Sequence, residues 1–179
     1  MDIAPYIDAL ILREGGYVDH PADRGGKTRW GITEAVARQN GYDGDMRHLP
    51  RAKAEAIYRQ VYWTAPRFDQ VAKRAKRLAI RLLDSGVNVG PAVASGFLQR
   101  ALNALNRNGR DFPDLQVDRQ IGPVTLAALD AFHKLRGAQG EEVLCKAIDA
   151  LQGVHYIHLT EARPSQEAFA YGWIANRIG

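Results

Sequence analysis

Residues 14–33 read E-G-G-Y-V-D-H-P-A-D-R-G-G-K-T-R-W-G-I-T, and few folds accommodate that stretch. Upstream of it, Ile3, Tyr6, Ile7, Leu10 and Ile11 recur at the spacing of one helix face. Gly15 and Gly16 stop that helix directly after Glu14. A carboxylate there meets the negative end of the helix dipole, which disfavours its ionised form and raises its pKa, as a general acid requires. Beyond the glycines, Pro21, Gly25, Gly26 and Gly31 punctuate short segments carrying Tyr17, Val18, Thr28, Trp30 and Ile32. This pattern predicts a small β-hairpin or three-stranded ribbon, with Asp23 and Thr28 on it and facing back toward the helix end. The plainer reading of Asp23 is a turn residue, since Asp is favoured in a segment such as P-A-D-R-G-G.

Eight residues separate Glu14 from Asp23 and four separate Asp23 from Thr28. The order is similar to the glutamate, aspartate and threonine triad of phage-type lysozymes, whose gaps are usually eight and five. The blocks E-G-G-Y, P-A-D, G-G-K-T and G-I-T together resemble glycoside hydrolase family 108, N-acetylmuramidases often found as phage endolysins. The resemblance implies a mainly α, lysozyme-like helical fold with a small β-hairpin near the active site. It also places the block D-S-G-V-N-V-G along the substrate groove, so that Asp84 and Asn88 join Tyr17 and Trp30 as candidate sugar contacts; helix capping and turn formation explain Asp84 and Asn88 equally well.

A chain of 179 residues, 46% hydrophobic, can bury a full core as one domain or two small ones. Its single cysteine, Cys145, rules out an intramolecular disulfide framework and fits folding in a reducing compartment. The N-terminus lacks the basic and apolar regions of a secretory signal, and no stretch is apolar over the ~18 residues of a membrane span. The expectation is a soluble monomer made in the host bacterial cytoplasm without a signal peptide. Action on the periplasmic wall then requires delivery, and the family resemblance implies a holin.

Charge is uneven, with 15 Lys and Arg against 11 Asp and Glu through Asp84, and nine against nine beyond it. A basic field on the half with the candidate site favours anionic polymers, among them cell wall and nucleic acid. No zinc-finger cysteines, RNA-binding aromatic motif or helix-turn-helix pattern supports nucleic acid as a partner. The basic run at 69–83 reads as the solvated face of an amphipathic helix.

Further along, Thr33 is an N-cap for a helix over 34–39, ended by Asn40-Gly41, and a second helix covers 50–62. Gly90-Pro91 separates two helices, which sets the expected domains at 1–88, a lysozyme-like catalytic lobe, and 89–179, a helical module packed against it. Residues 106–122 form a polar loop ending in V-D-R-Q-I-G-P-V-T. With F-L-Q-R-A-L-N before it and L-A-A-L-D-A-F after it, the block resembles the type 3 peptidoglycan-binding module, which usually has glycine where Arg119 stands. Asp118 and Thr125 read either as ligand contacts or as loop and cap residues. Helices follow over 124–135 and 141–160, and an ending like F-x-x-G-W-x-x-R carries Trp173, best read as core. His155 and His158 lack the further ligand a metal site needs. No cofactor or metal is expected.

The resemblance implies a peptidoglycan hydrolase cutting the β-1,4 bond between N-acetylmuramic acid and N-acetylglucosamine. Glycoside hydrolysis needs a protonated carboxyl on the leaving oxygen and a second group across the sugar plane. Glu14 is the acid, Asp23 orients or deprotonates water, with Asp19 as the fallback, and Thr28 holds that water. Similarity to phage-type lysozymes implies inversion, with retention left open. A lytic transglycosylase using Glu14 alone and a non-catalytic wall-binding protein are the alternatives.

Overall fold

The computed structural model describes residues 2–19 and 26–179, with Glu14 described by its backbone alone. Contacts divide the chain into two compact units, Met1–Ala65 and Pro66–Gly179.

The first unit opens with α1 (Ala4–Glu14), where Pro5 sits in the first turn, a position that needs no backbone donor. Gly15 ends α1 with φ 77°, and its N–H reaches the Ile11 carbonyl at 3.3 Å. Ile7, Leu10 and Ile11, with Ile3 just before the first turn, form the buried face of α1, which packs on α3 (Arg51–Arg59), whose buried residues are Ala54, Ile57 and Tyr58. Strands β1 (Tyr17–Val18), β2 (Thr28–Arg29) and β3 (Ile32–Thr33) make the three-stranded antiparallel sheet that the glycine punctuation predicts. Tyr17 pairs with Arg29 and Val18 with Thr28; across the other edge Thr28 pairs with Thr33 and Arg29 with Ile32. Thr33 then caps α2 (Glu34–Gln39), its hydroxyl accepting from the Val36 N–H at 3.3 Å. After Arg59 the chain continues in a wider helical turn over Gln60–Thr64.

The described residues of the second unit contain helices and no strand. It comprises α4 (Phe68–Ala72), α5 (Lys76–Val89), α6 (Pro91–Ala104), α7 (Pro123–Ala162) and α8 (Glu167–Arg177). Its core is built from Phe68, Leu78, Leu82, Leu83, Leu98, Leu102, Phe132, Leu144 and Ile148, as α5, α6 and α7 pack on one another. Gly86 lets α4 close on α5, because a Cβ there would stand 3.2 Å from the Phe68 ring. Gly90, with φ 92°, and Pro91 separate α5 from α6 as the sequence predicts. The run at 69–83, read as one amphipathic helix, is instead broken between α4 and α5. Ala75 is extended there, and the Glu141 carboxylate accepts the N–H groups of Arg77 at 2.7 Å and Leu78 at 3.1 Å, starting α5 anew. The helices expected over 124–135 and 141–160 form a single run that breaks at Gly137.

The loop after α6 is held by side-chain amides. Asn103 exchanges two 2.8 Å bonds with the Leu115 backbone, and buried Asn106 donates to Phe112 and Asp114.

Candidate functional site

Glu14 is the last residue of α1, and Tyr17 begins β1 three positions on. The helix end and the sheet edge are thus joined by Gly15 and Gly16 alone among the intervening residues. Asp23 lies outside the described residues. Asp19 is exposed, and its carboxylate accepts from the Tyr17 hydroxyl at 3.0 Å.

Residues directly opposite on paired strands share a face of the sheet. Tyr17, Arg29 and Ile32 therefore share one face, and Val18, Thr28 and Thr33 the other. Ile32 is buried, which makes the first face the inward one. Tyr17 is half-buried, with the Arg47 guanidinium 5.7 Å from its ring centre. Thr28 stands half-buried in the central strand between Val18 and Thr33.

Trp30 occupies the two-residue turn between β2 and β3 together with Gly31. Both have positive φ, 55° and 72°, the pattern of a type I′ turn whose twist suits a tight hairpin. Gly31 takes that conformation freely, whereas a tryptophan in it carries strain of order 1–2 kcal/mol. Three contacts hold it there. The indole N–H donates to the Leu49 carbonyl at 3.1 Å, the Trp30 carbonyl accepts from the Tyr58 hydroxyl at 3.1 Å, and Arg29 lies 5.1 Å from the indole ring centre. Tyr58 and Arg29 are residues the sequence did not single out for the site. Tyr58 lies on the apolar face of α3, and nothing local announces that its hydroxyl reaches residue 30.

Asp84 and Asn88 belong to the second unit, one turn apart on α5, with the Asn88 amide donating to the Asp84 carbonyl at 2.7 Å. The Asp84 carboxylate lies 3.6 Å from Arg81 and 3.9 Å from Arg177. Arg81 also pairs with Asp149, whose carboxyl is nevertheless pushed up by burial, an effect that outweighs the arginine beside it.

From α6, Gln99 ties together the loop block resembling the binding-module signature, just before α7. Its amide donates to the Asp118 carboxylate at 2.7 Å, the Gln120 carbonyl at 3.0 Å and the Thr125 hydroxyl at 3.2 Å, and it accepts the Arg119 N–H at 2.9 Å. Asp118 and Thr125 are thus engaged internally. The bonds from Gln99 and from the Gln120 N–H hold the Asp118 carboxyl below its ordinary value. Trp173 is half-buried and stacks on Phe169, their ring centres 6.0 Å apart, and tilts against Tyr156 at 5.3 Å. Among the described residues, no three His, Cys, Asp or Glu side chains come together as a metal site, and no helix is long and apolar enough to cross a membrane.

Residues 7–90 match the model of glycosyl hydrolase 108, and residues 93–178 match that of the predicted peptidoglycan domain. No curated protein matches the chain. Among solved structures, SagA of Brucella abortus is similar at 28% identity and a TM-score of 0.68, over 98% of this chain and 88% of that one. The two family matches meet between residues 90 and 93, at the Gly90-Pro91 break, whereas the contacts divide at residues 65 and 66. The chain is a glycoside hydrolase acting on peptidoglycan: residues 7–90 belong to glycosyl hydrolase family 108 and residues 93–178 to the predicted peptidoglycan domain family.

Proposed function

We propose that the protein is a muramidase that cuts the β-1,4 bond between N-acetylmuramic acid and N-acetylglucosamine, with Glu14 as general acid. The observation that carries the reading is the position of Glu14 at the last residue of α1, closed by Gly15 and followed at once by the sheet. The negative end of a helix dipole disfavours the ionised form of a carboxyl placed there, which suits a group that donates to the leaving oxygen. Asp23 acts as the base for the attacking water and Thr28 holds that water, the outcome being inversion. Asp19, the fallback base, is occupied by the Tyr17 hydroxyl, a bond that supports Asp23 in the role.

Tyr17 and Trp30 contact the sugars near the sheet, and Asp84 and Asn88 on α5 are further candidate sugar contacts. In this reading residues 1–88 form the catalytic lobe and residues 89–179 bind peptidoglycan. The enzyme works as a monomer without cofactor or nucleic acid, is made in the cytoplasm, and reaches the periplasmic wall by holin-dependent release during phage lysis.

The test is digestion of purified peptidoglycan followed by mass spectrometry of the released ends, with NMR of the first-formed anomer. Reducing N-acetylmuramic acid in the α configuration supports an inverting muramidase. Reducing N-acetylglucosamine overturns the assigned bond, a β anomer overturns inversion, and anhydro ends identify a lytic transglycosylase.

A further inference from the structure

The second unit holds a cavity of about 320 Å³ lined by Leu105, Phe132, Arg136, Gln139, Gly140 and Val143. It forms where α7 breaks at Gly137, whose φ of 58° and ψ of −150° lie outside any helix. The break brings the next turn hard against the previous one. A Cβ at Gly140 would stand 2.4 Å from the Arg136 Cβ and 2.9 Å from the Phe132 ring, so only glycine fits there.

The chemistry of the lining is uneven in a useful way. Phe132 is 2% exposed and Val143 40% exposed, so an apolar wall runs from the core to the surface. The polar lining is one guanidinium and one amide. Nearby, the Asp111 carboxylate takes its hydrogen bonds from Arg107, at 2.5 Å. The field of Arg136 reaches Asp111, adding to the Arg107 bond and charge that hold its carboxyl below the ordinary value.

A sugar subsite needs several partners for hydroxyls and an accessible aromatic face, and Phe132, the aromatic of this lining, is buried. A guanidinium beside methyl-sized apolar walls instead matches a carboxylate carried on a small apolar residue. The volume is near the lower end for ligand pockets, which limits the occupant to a short segment. We propose that this cavity binds the free carboxylate end of a short peptide with small apolar side chains, such as an alanine-terminated stem of peptidoglycan. The inference rests on the reading that residues 89–179 engage peptidoglycan, and it assigns that engagement to the peptide and not to the glycan strand.

The test uses the full chain, isotopically labelled, with N-acetyl-D-alanyl-D-alanine, its C-terminal amide, and a chitin tetrasaccharide that carries no peptide. The acid is expected to shift the amide resonances of residues 137–143 saturably, and the C-terminal amide to bind at least ~10-fold more weakly, as loss of a charge-assisted contact predicts. Arg136→Ala and the cavity-filling Val143→Trp are expected to lose the acid's effect, while both keep the wild-type dispersion of amide resonances elsewhere in the chain. Absence of any shift, equal binding of acid and amide, undiminished binding by Arg136→Ala, or the same shifts with the tetrasaccharide would each overturn the proposal. If the chain binds the acid as described yet cleaves no peptidoglycan, the proposed hydrolysis fails and the cavity assignment stands.

Discussion

The hydroxyl of Tyr58 donates to the carbonyl oxygen of Trp30 across 3.1 Å and 28 positions of sequence. Tyr58 is buried on α3, and Trp30 sits at positive φ in the turn beside Thr28 and Arg29. A residue in strained backbone persists only when its surroundings over-determine it, and here the restraint comes from the core of the first unit.

Tyr58→Phe deletes that donor while keeping the ring. The Trp30 carbonyl then loses one bond, at a cost of about 1 kcal/mol, or roughly 2–4 °C in Tm for a chain of this size. Thermal melting followed by circular dichroism checks it. Because the loss falls on the turn next to Thr28, turnover on peptidoglycan is expected to fall more than the melting temperature alone predicts.

Glu141→Ala removes the acceptor of the Arg77 and Leu78 N–H groups. The position before α5 is Ala75, which offers no capping side chain, so nothing local replaces the lost bonds. The expected loss is about 0.5–2 kcal/mol, the range for removing a helix cap, measured by urea denaturation. Lys146→Ala, which removes the exposed partner of Glu142 at 2.8 Å, serves as a neighbouring control and is expected to cost far less.

The loop block at the start of α7 carries a pH signature. The Gln99 amide and the Gln120 N–H make the Asp118 carboxyl easier to ionise in the folded chain than in the unfolded one. Such a group adds stability that is complete above its unfolded pKa, about 4, and is lost as pH falls through the lower folded value. Stability is therefore expected to drop below about pH 4, and Asp118→Asn to flatten that part of the profile without steepening the profile at neutral pH. Denaturation midpoints collected from pH 2.5 to 7 check the sign.

What could be read in the sequence was what neighbours in sequence decide. The end of α1 at Gly15, the Thr33 cap and the Gly90-Pro91 break are each produced by a residue within a turn of the feature, and each stands where expected. The break between α4 and α5 was not legible, because the groups that start α5 are capped by a carboxylate more than sixty positions away. The same holds for the site. Trp30 was visible as an aromatic in a glycine-rich hairpin, but its bonds to Leu49 and Tyr58 come from chain folded back on it. Arg119 is instructive in the other direction. It stands where the resembling module usually has glycine, and its φ of 64° explains that preference; the turn survives because Gln99 accepts the Arg119 N–H.

The most direct test of the account is the rate at which wild type and Glu14→Gln release reducing ends from purified peptidoglycan. Removal of a general acid is expected to slow release by at least ~100-fold, with unchanged melting temperature and wall binding. A Glu14→Gln enzyme that cuts at the wild-type rate would contradict the assignment of the acid at the end of α1.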